Sequence, residues 1–174
     1  MAVHVVLIRA IGPVTHAKMR MAALRAALNA AGLADVVTVG NTGNVILRSP
    51  KRPAGVRALV EAVVSGFGLG PANEVFVRTP AEMAAVVAAD PFPAMAASRP
   101  ADLGVCSFHA APDWTPLGSY DGPEQTAVIG SHLVVAYPDG ATASRLAIEK
   151  LLGARMTMRN WRVFAGLAAR AAAP

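Results

Sequence analysis

Val3-His4-Val5-Val6-Leu7-Ile8-Arg9 is the stretch that decides the fold class. In an extended chain Val3, Val5 and Leu7 point to one side and Val6 and Ile8 to the other, so both faces are apolar. A strand needs that pattern only when it is covered on both faces. Gly12-Pro13 breaks the strand, and Thr15 can N-cap a helix. Ala17, Met21, Leu24, Leu28 and Ala31 then recur on one helical face up to Gly32. Residues 36–39 and 45–47 read as short strands about Gly40-Asn41-Thr42-Gly43-Asn44, which carries hairpin chemistry. Pro53 opens a second helix with Val56, Leu59, Val60, Val63, Val64 and Phe67 in one stripe. Gly68 and Gly70 end it, and residues 74–78 form a fourth strand. This β-α-β-β-α-β order is the ferredoxin-like, split βαβ arrangement, with the first and third strands central.

Residues 80–174 read as a second α+β half with a C-terminal helix. Thr79-Pro80-Ala81-Glu82 is a capping box for a helix to Ala89, and the proline-rich 90–100 reads as a loop. A strand over 103–109 and a turn-rich segment with Trp114 and Tyr120 follow. Strands 126–129 and 132–137 flank the two-residue turn Gly130-Ser131. Thr142 or Ser144 caps a helix through Leu152. Asn160 caps a last helix with Trp161, Phe164, Ala165 and Ala168 on one face. The halves, 1–79 and 80–174, share a loose element order, which suggests related subdomains, although no residue-level repeat is visible.

Hydrophobic residues make up 54% of the 174 and charged residues 16%, enough for a core and too apolar for disorder. Thirteen arginines against three lysines, with abundant alanine, read as GC-rich bacterial coding. A lone cysteine, Cys106, rules out an intramolecular disulfide and fits a reducing compartment. With neither a signal-peptide pattern nor a long uncharged apolar run, a cytoplasmic protein without a membrane span is expected. Charge is laid out in blocks: residues 1–72 carry +6, residues 73–144 carry −6 and residues 145–174 carry +5. Such blocks steer an anionic partner or drive self-association.

Phosphate-loop, HExxH, CxxC and GxSxG patterns are all missing. Cys106 and His109, three apart on a strand, point to opposite faces. His4, His16, His109 and His132 fall in separate elements, so no metal and no cofactor is expected. Asp113, Asp121 and Glu124 sit near one loop, but spacing alone does not make them an acid–base pair. Gly40-Asn41-Thr42-Gly43 has the letters of a phosphate-clamping GxxG, yet it joins strands where that clamp joins helices. A hairpin explains each of its residues; an anion nest is the alternative.

One stretch does gather chemistry: Ala154-Arg155-Met156-Thr157-Met158-Arg159-Asn160-Trp161-Arg162-Val163-Phe164. Arg155 and Arg159 offer charge and paired donors, Thr157 a hydroxyl, and the amides after Asn160 a helix N-terminus. Arg9, Asn41 and Asn44, at one end of the first sheet, complete the candidate anion site, with Trp161 and Phe164 as its structural anchors.

At these residues the chain resembles the DUF1697 family, small bacterial proteins of unassigned function. Leu7-Ile8-Arg9-Ala10 matches its opening leucine–arginine–glycine pattern, and Lys18-Met19 its lysine-and-methionine helix start. Thr42-Gly43-Asn44-Val45-Ile46-Leu47 matches its hairpin and strand, and Thr157-Met158-Arg159-Asn160-Trp161 its closing signature. Ala10 replaces the family's glycine, and the loop from Ile11 to Thr15 departs from the family's glycine-rich one. The resemblance implies an α+β fold and no particular reaction.

Three functional readings follow. The first is a binding protein for an anionic partner, a phosphorylated small molecule ahead of nucleic acid, since residues 3–9 and 45–47 offer no aromatics to stack bases. The second is a hydrolase or transferase acting on a phosphate- or carboxylate-bearing substrate. The third is an interaction or scaffold protein, with self-association through the charge blocks. The closing motif is expected to fold back against the N-terminal sheet, near Arg9 and the turn at 41–44. Trp161 and Phe164 are too apolar to lie exposed together. Trp161→Ala is therefore expected to cost about 3–5 kcal/mol of stability; a thermal melt matching the parent's would show that Trp161 is not an anchor.

Overall fold

A computed structural model describes residues 1–173. The chain divides into two compact α+β units, residues 1–80 with those from Arg170 on, and Ala81–Ala169. The first contains β1 (Ala2–Ile8), α1 (Pro13–Lys18), α2 (Met21–Ala30), β2 (Ala34–Val39), β3 (Asn44–Ser49), α3 (Pro53–Gly66) and β4 (Val75–Arg78). Its antiparallel sheet runs β2-β3-β1-β4, so the first and third strands are central, as their two-sided apolar pattern requires. Val5, Val6, Leu7 and Ile8 are all fully buried. Val6 and Ile8 face a core built with Met19, Leu24 and Leu28 on the α1–α2 side and Val56, Val60 and Val64 of α3. Each such side chain contributes roughly 1.5–3 kcal/mol by leaving water.

The first crossover is not one helix. Arg20 is extended (φ −71°, ψ 145°) and separates α1 from α2. Thr15 lies inside α1, where its hydroxyl donates to the Gly12 carbonyl and accepts from the Gly12 amide, both at 2.8 Å. The interruption drops Met19 fully into the core, a position that an unbroken stripe through Ala17 and Met21 does not supply.

The turn between β2 and β3 is a hairpin with Gly40 (φ 64°) and Gly43 (φ 75°) in the left-handed region. Gly43 is also sterically required, because a Cβ there would lie 2.6 Å from Ile11 Cγ1. Ala10 takes the same left-handed backbone (φ 57°) without glycine's freedom. Asn73 holds that corner, its Nδ2 donating to the carbonyls of Arg9 (3.2 Å) and Ala10 (3.3 Å).

The second unit contains α4 (Pro80–Ala89, entered from the first), α5 (Pro93–Ser98), β5 (Leu103–Phe108), β6 (Gln125–Ile129), β7 (His132–Ala136), α6 (Ile148–Leu152), β8 (Met156–Asn160) and most of α7 (Trp161–Ala172). Its antiparallel sheet runs β6-β7-β5-β8, the first sheet's order strand for strand. The likeness reaches single residues. Val5 of β1 pairs with Ile46 and Arg78, and Val105 of β5 pairs with Val134 and Arg159. Each arginine turns its Nη1 onto the carbonyl of the preceding residue, Val77 at 2.7 Å and Met158 at 2.9 Å.

Three sequence expectations change here. Residues 93–98, expected as loop, form α5 because Pro93 sits at its first turn, where a missing N–H costs nothing. The helix expected from Thr142 or Ser144 starts only at Ile148, because the Ser144 hydroxyl is engaged elsewhere. Residues 156–160, read only as the approach to the last helix, form edge strand β8 and pair with β5. Its period is two: Met156 and Met158 pack on the core of the second unit, while Thr157 and Arg159 face the opposite way. Trp161 and Phe164, in the first turn of α7, are buried as expected.

A left-handed alanine costs roughly 1–2 kcal/mol, part of which glycine returns as unfolded-state entropy. Ala10→Gly is therefore expected to stabilise the protein by about 0.5–1 kcal/mol, read as a rise in the denaturant midpoint at constant slope. An unchanged or lower midpoint would mean that Ala10 is unstrained.

Candidate functional site

In the first unit the β1–β2 crossover carries two helices, and Met21, Leu24 and Leu28 of α2 close over the sheet. In the second unit the β5–β6 crossover carries only a five-residue 3-10 turn, Thr115–Ser119. Trp114 and Leu117 cover part of the sheet from that segment, the Trp114 ring edge-on to Phe108 with centroids 5.4 Å apart. Beyond them lies a cavity of about 430 Å³, lined by residues 120–124 ahead of β6 and by 138–140 and 143–145 after β7.

Glu124 is its buried polar centre, 8% exposed. One carboxylate oxygen accepts the Tyr120 hydroxyl and the other the Ser144 hydroxyl. The Ser144 bond first, and then the Tyr120 bond, hold the carboxyl below its ordinary range. The same bond to Glu124 pushes the Tyr120 phenol up to about 12, so it stays a donor. Ser144 Oγ also accepts the Leu146 amide at 3.1 Å, which keeps this segment out of α6. Gly122 lies under the Tyr120 ring, and a Cβ there would overlap the ring and its hydroxyl. The far wall is pinned by Arg99, whose Nη2 donates to the Pro138 carbonyl at 2.8 Å while its Nε bonds Asp102.

The direction of the Glu124 shift is the wrong one for a general base at neutral pH. A general base for a serine works best with its pKa near the operating pH, whereas Glu124 is shifted away from that range. Cys106 is inert too: burial, and then the charge of Glu149, push its thiol up to about 12.

The residues read as an anion site fall into two sets. In the first unit, Arg9 Nη1 reaches the Ala72 carbonyl at 3.5 Å, and the Asn41 carbonyl contacts His16 Nε2 at 2.5 Å. Asn44, 1% exposed, donates its Nδ2 to Thr42 Oγ1 and the Val39 carbonyl, which makes it a clamp on the hairpin. In the second unit, Arg159 Nη1 donates to Thr157 Oγ1 at 2.9 Å, and burial pushes its guanidinium down to about 10. Asn160 Oδ1 accepts the Val163 amide at 2.9 Å, so it does cap α7. Arg155 precedes β8 on a partly exposed stretch. Of the three acids noted near one loop, Asp113 caps the 3-10 turn through the Thr115 amide, while Asp121 and Glu124 line the cavity. Ser144 and Tyr120 were legible only as a cap candidate and a turn residue, because their link to Glu124 is tertiary. Among the described residues no cluster of three or more histidine, cysteine or acidic side chains could hold a metal ion, and no helix is long and apolar enough to cross a membrane.

The sequence profile of the family described as "Protein of unknown function (DUF1697)" matches residues 1–133. The chain belongs to this family. The match takes in the Tyr120–Glu124 side of the cavity and ends before the closing motif at 157–161. No curated protein matches the chain. Among solved structures, "conserved bacterial protein SP0830 from Streptococcus pneumoniae" superposes with a TM-score of 0.74 at 17% identity, over 98% of either chain. That likeness establishes a fold that this DUF1697 member shares.

The Glu124 bonds also have a pH signature. A carboxyl depressed in the folded state contributes stability above its unfolded value and loses it as pH falls through the folded one. Denaturation from pH 7 downward should therefore show an acid limb opening near the ordinary value of 4.5. Glu124→Gln should flatten that limb; an identical limb in the variant would mean that the Tyr120 and Ser144 bonds add no stability.

Proposed function

We propose that this DUF1697 protein binds a small polar molecule in the cavity of its second unit. The observation that carries the reading is the buried Glu124 carboxylate, held by Tyr120 and Ser144 at the wall of a cavity of about 430 Å³. That volume lies within the roughly 300–1,000 Å³ usual for small-ligand sites, and a few fixed polar groups in a concave wall are what orient a ligand. The depressed Glu124 favours binding over the hydrolase or transferase alternative.

A second reading keeps the anionic ligand and rests on Arg159. Burial disfavours its charged form, and an anion near Arg155, Thr157, Arg159 and Asn160 would relieve that cost. Amide NMR separates the two. A fragment library should shift Gly122, Gly140 and Leu146 if the cavity is the site, and inorganic phosphate should shift Arg159 and Asn160 if the second reading holds. Fragments that leave the cavity amides unmoved would remove the first reading; phosphate that leaves the β8 amides unmoved would remove the second.

A further inference from the structure

The cavity's polar wall is one-sided in its hydrogen bonding. Tyr120 and Ser144 both spend their hydroxyl protons on Glu124. The Ser144 oxygen is further engaged by the Leu146 amide. What these side chains still offer is lone pairs: those left on Glu124 and one on the Tyr120 oxygen. Asp121 and Asp139 line the same cavity with two more carboxylates. Arg145 is the one cationic side chain among the lining residues, and it is exposed. Three carboxylates against one guanidinium leave the lining negative, with acceptors in excess of side-chain donors.

We propose that the cavity between residues 120–124 and 138–145 recognises a primary ammonium group, so that the ligand of this protein is a small organic amine. The proposal rests on the cavity being the binding site and names the class of molecule it takes. An ammonium carries three donors and no acceptor, the complement of this wall. Charge-assisted bonds to Glu124 and its neighbours are roughly twice as strong as neutral ones. A bare metal ion is a poorer match, since the described residues include no cluster of ligating side chains suited to one. A carboxylate or phosphate would meet acceptors at Glu124, Asp121 and Asp139, with only Arg145 at the rim to receive it.

Three five-carbon probes of matched shape test the class: 1,5-diaminopentane, 1,5-pentanediol and glutarate. Each is titrated into the ¹⁵N-labelled full chain, following the amides of Gly122, Gly140 and Leu146, with those of Glu61 and Glu82 as controls. The expected result is saturable movement of the cavity amides by the diamine, at least about tenfold tighter than by the diol or by glutarate. Asp139→Asn, an exposed change that leaves the core untouched, should weaken the diamine several-fold, and Glu124→Gln should weaken it more. If glutarate or the diol binds the cavity as well as the diamine does, the amine class is overturned while the cavity stands. Diamine shifts that are no larger at the cavity than at Glu61 and Glu82 also overturn the class, as general attraction to acidic surface. If none of the probes moves the cavity amides, the amine class and the binding reading of the cavity fall together.

Discussion

The first unit depends on β1 having a partner on each edge and both faces out of water. Its register to β3 and β4 pairs the backbone from both sides, and Val5, Val6, Leu7 and Ile8 are then wholly removed from water. A slip of one residue would exchange the two faces and bring Val5 and Leu7 into the positions of Val6 and Ile8. That constraint explains why the hairpin must close tightly at Gly43, against Ile8 and Ile11, and why the corner at Ala10 is clamped by Asn73 despite its backbone. The second unit meets the same constraint with β5, whose six residues are all buried.

The two sheets share an order but not a covering. Where α2 lies over the first sheet, the second has a short 3-10 turn and two loops. A four-stranded sheet with one crossover reduced to loops leaves concave space beside its strands, and loops rather than helices then supply the polar groups there. Arg78 opposite Val5 and Arg159 opposite Val105 stand at matched positions of the two sheets, a likeness that the letters of the sequence do not show. The likeness lies in positions that strand pairing fixes, while the crossovers differ.

Much of the framework was readable from residues because its signals are local. The two-sided strand at 3–9, the α3 stripe, the glycine hairpin at 40–43 and the turn at Gly130-Ser131 each depend on neighbours within a few positions. The break at Arg20 was hidden because Ala17 and Met21 continue one helical stripe across it, and only the core shows that Met19 is needed inside. β8 was hidden because its alternation is short, Met156 and Met158 against Thr157 and a single arginine, Arg159. The cavity was hidden for a different reason. Glu124 and Ser144 lie twenty residues apart, and no motif announces a carboxylate that two hydroxyls converge on.

That convergence sets which partner titrates. Between the depressed Glu124 and the Tyr120 phenol raised to about 12 lies a broad span in which neither group changes its proton. Across neutral pH the Glu124–Tyr120 contact is electrostatically constant. A ligand bound there as proposed would meet an unchanging partner, so any pH dependence of its binding near neutrality would have to come from groups other than these two.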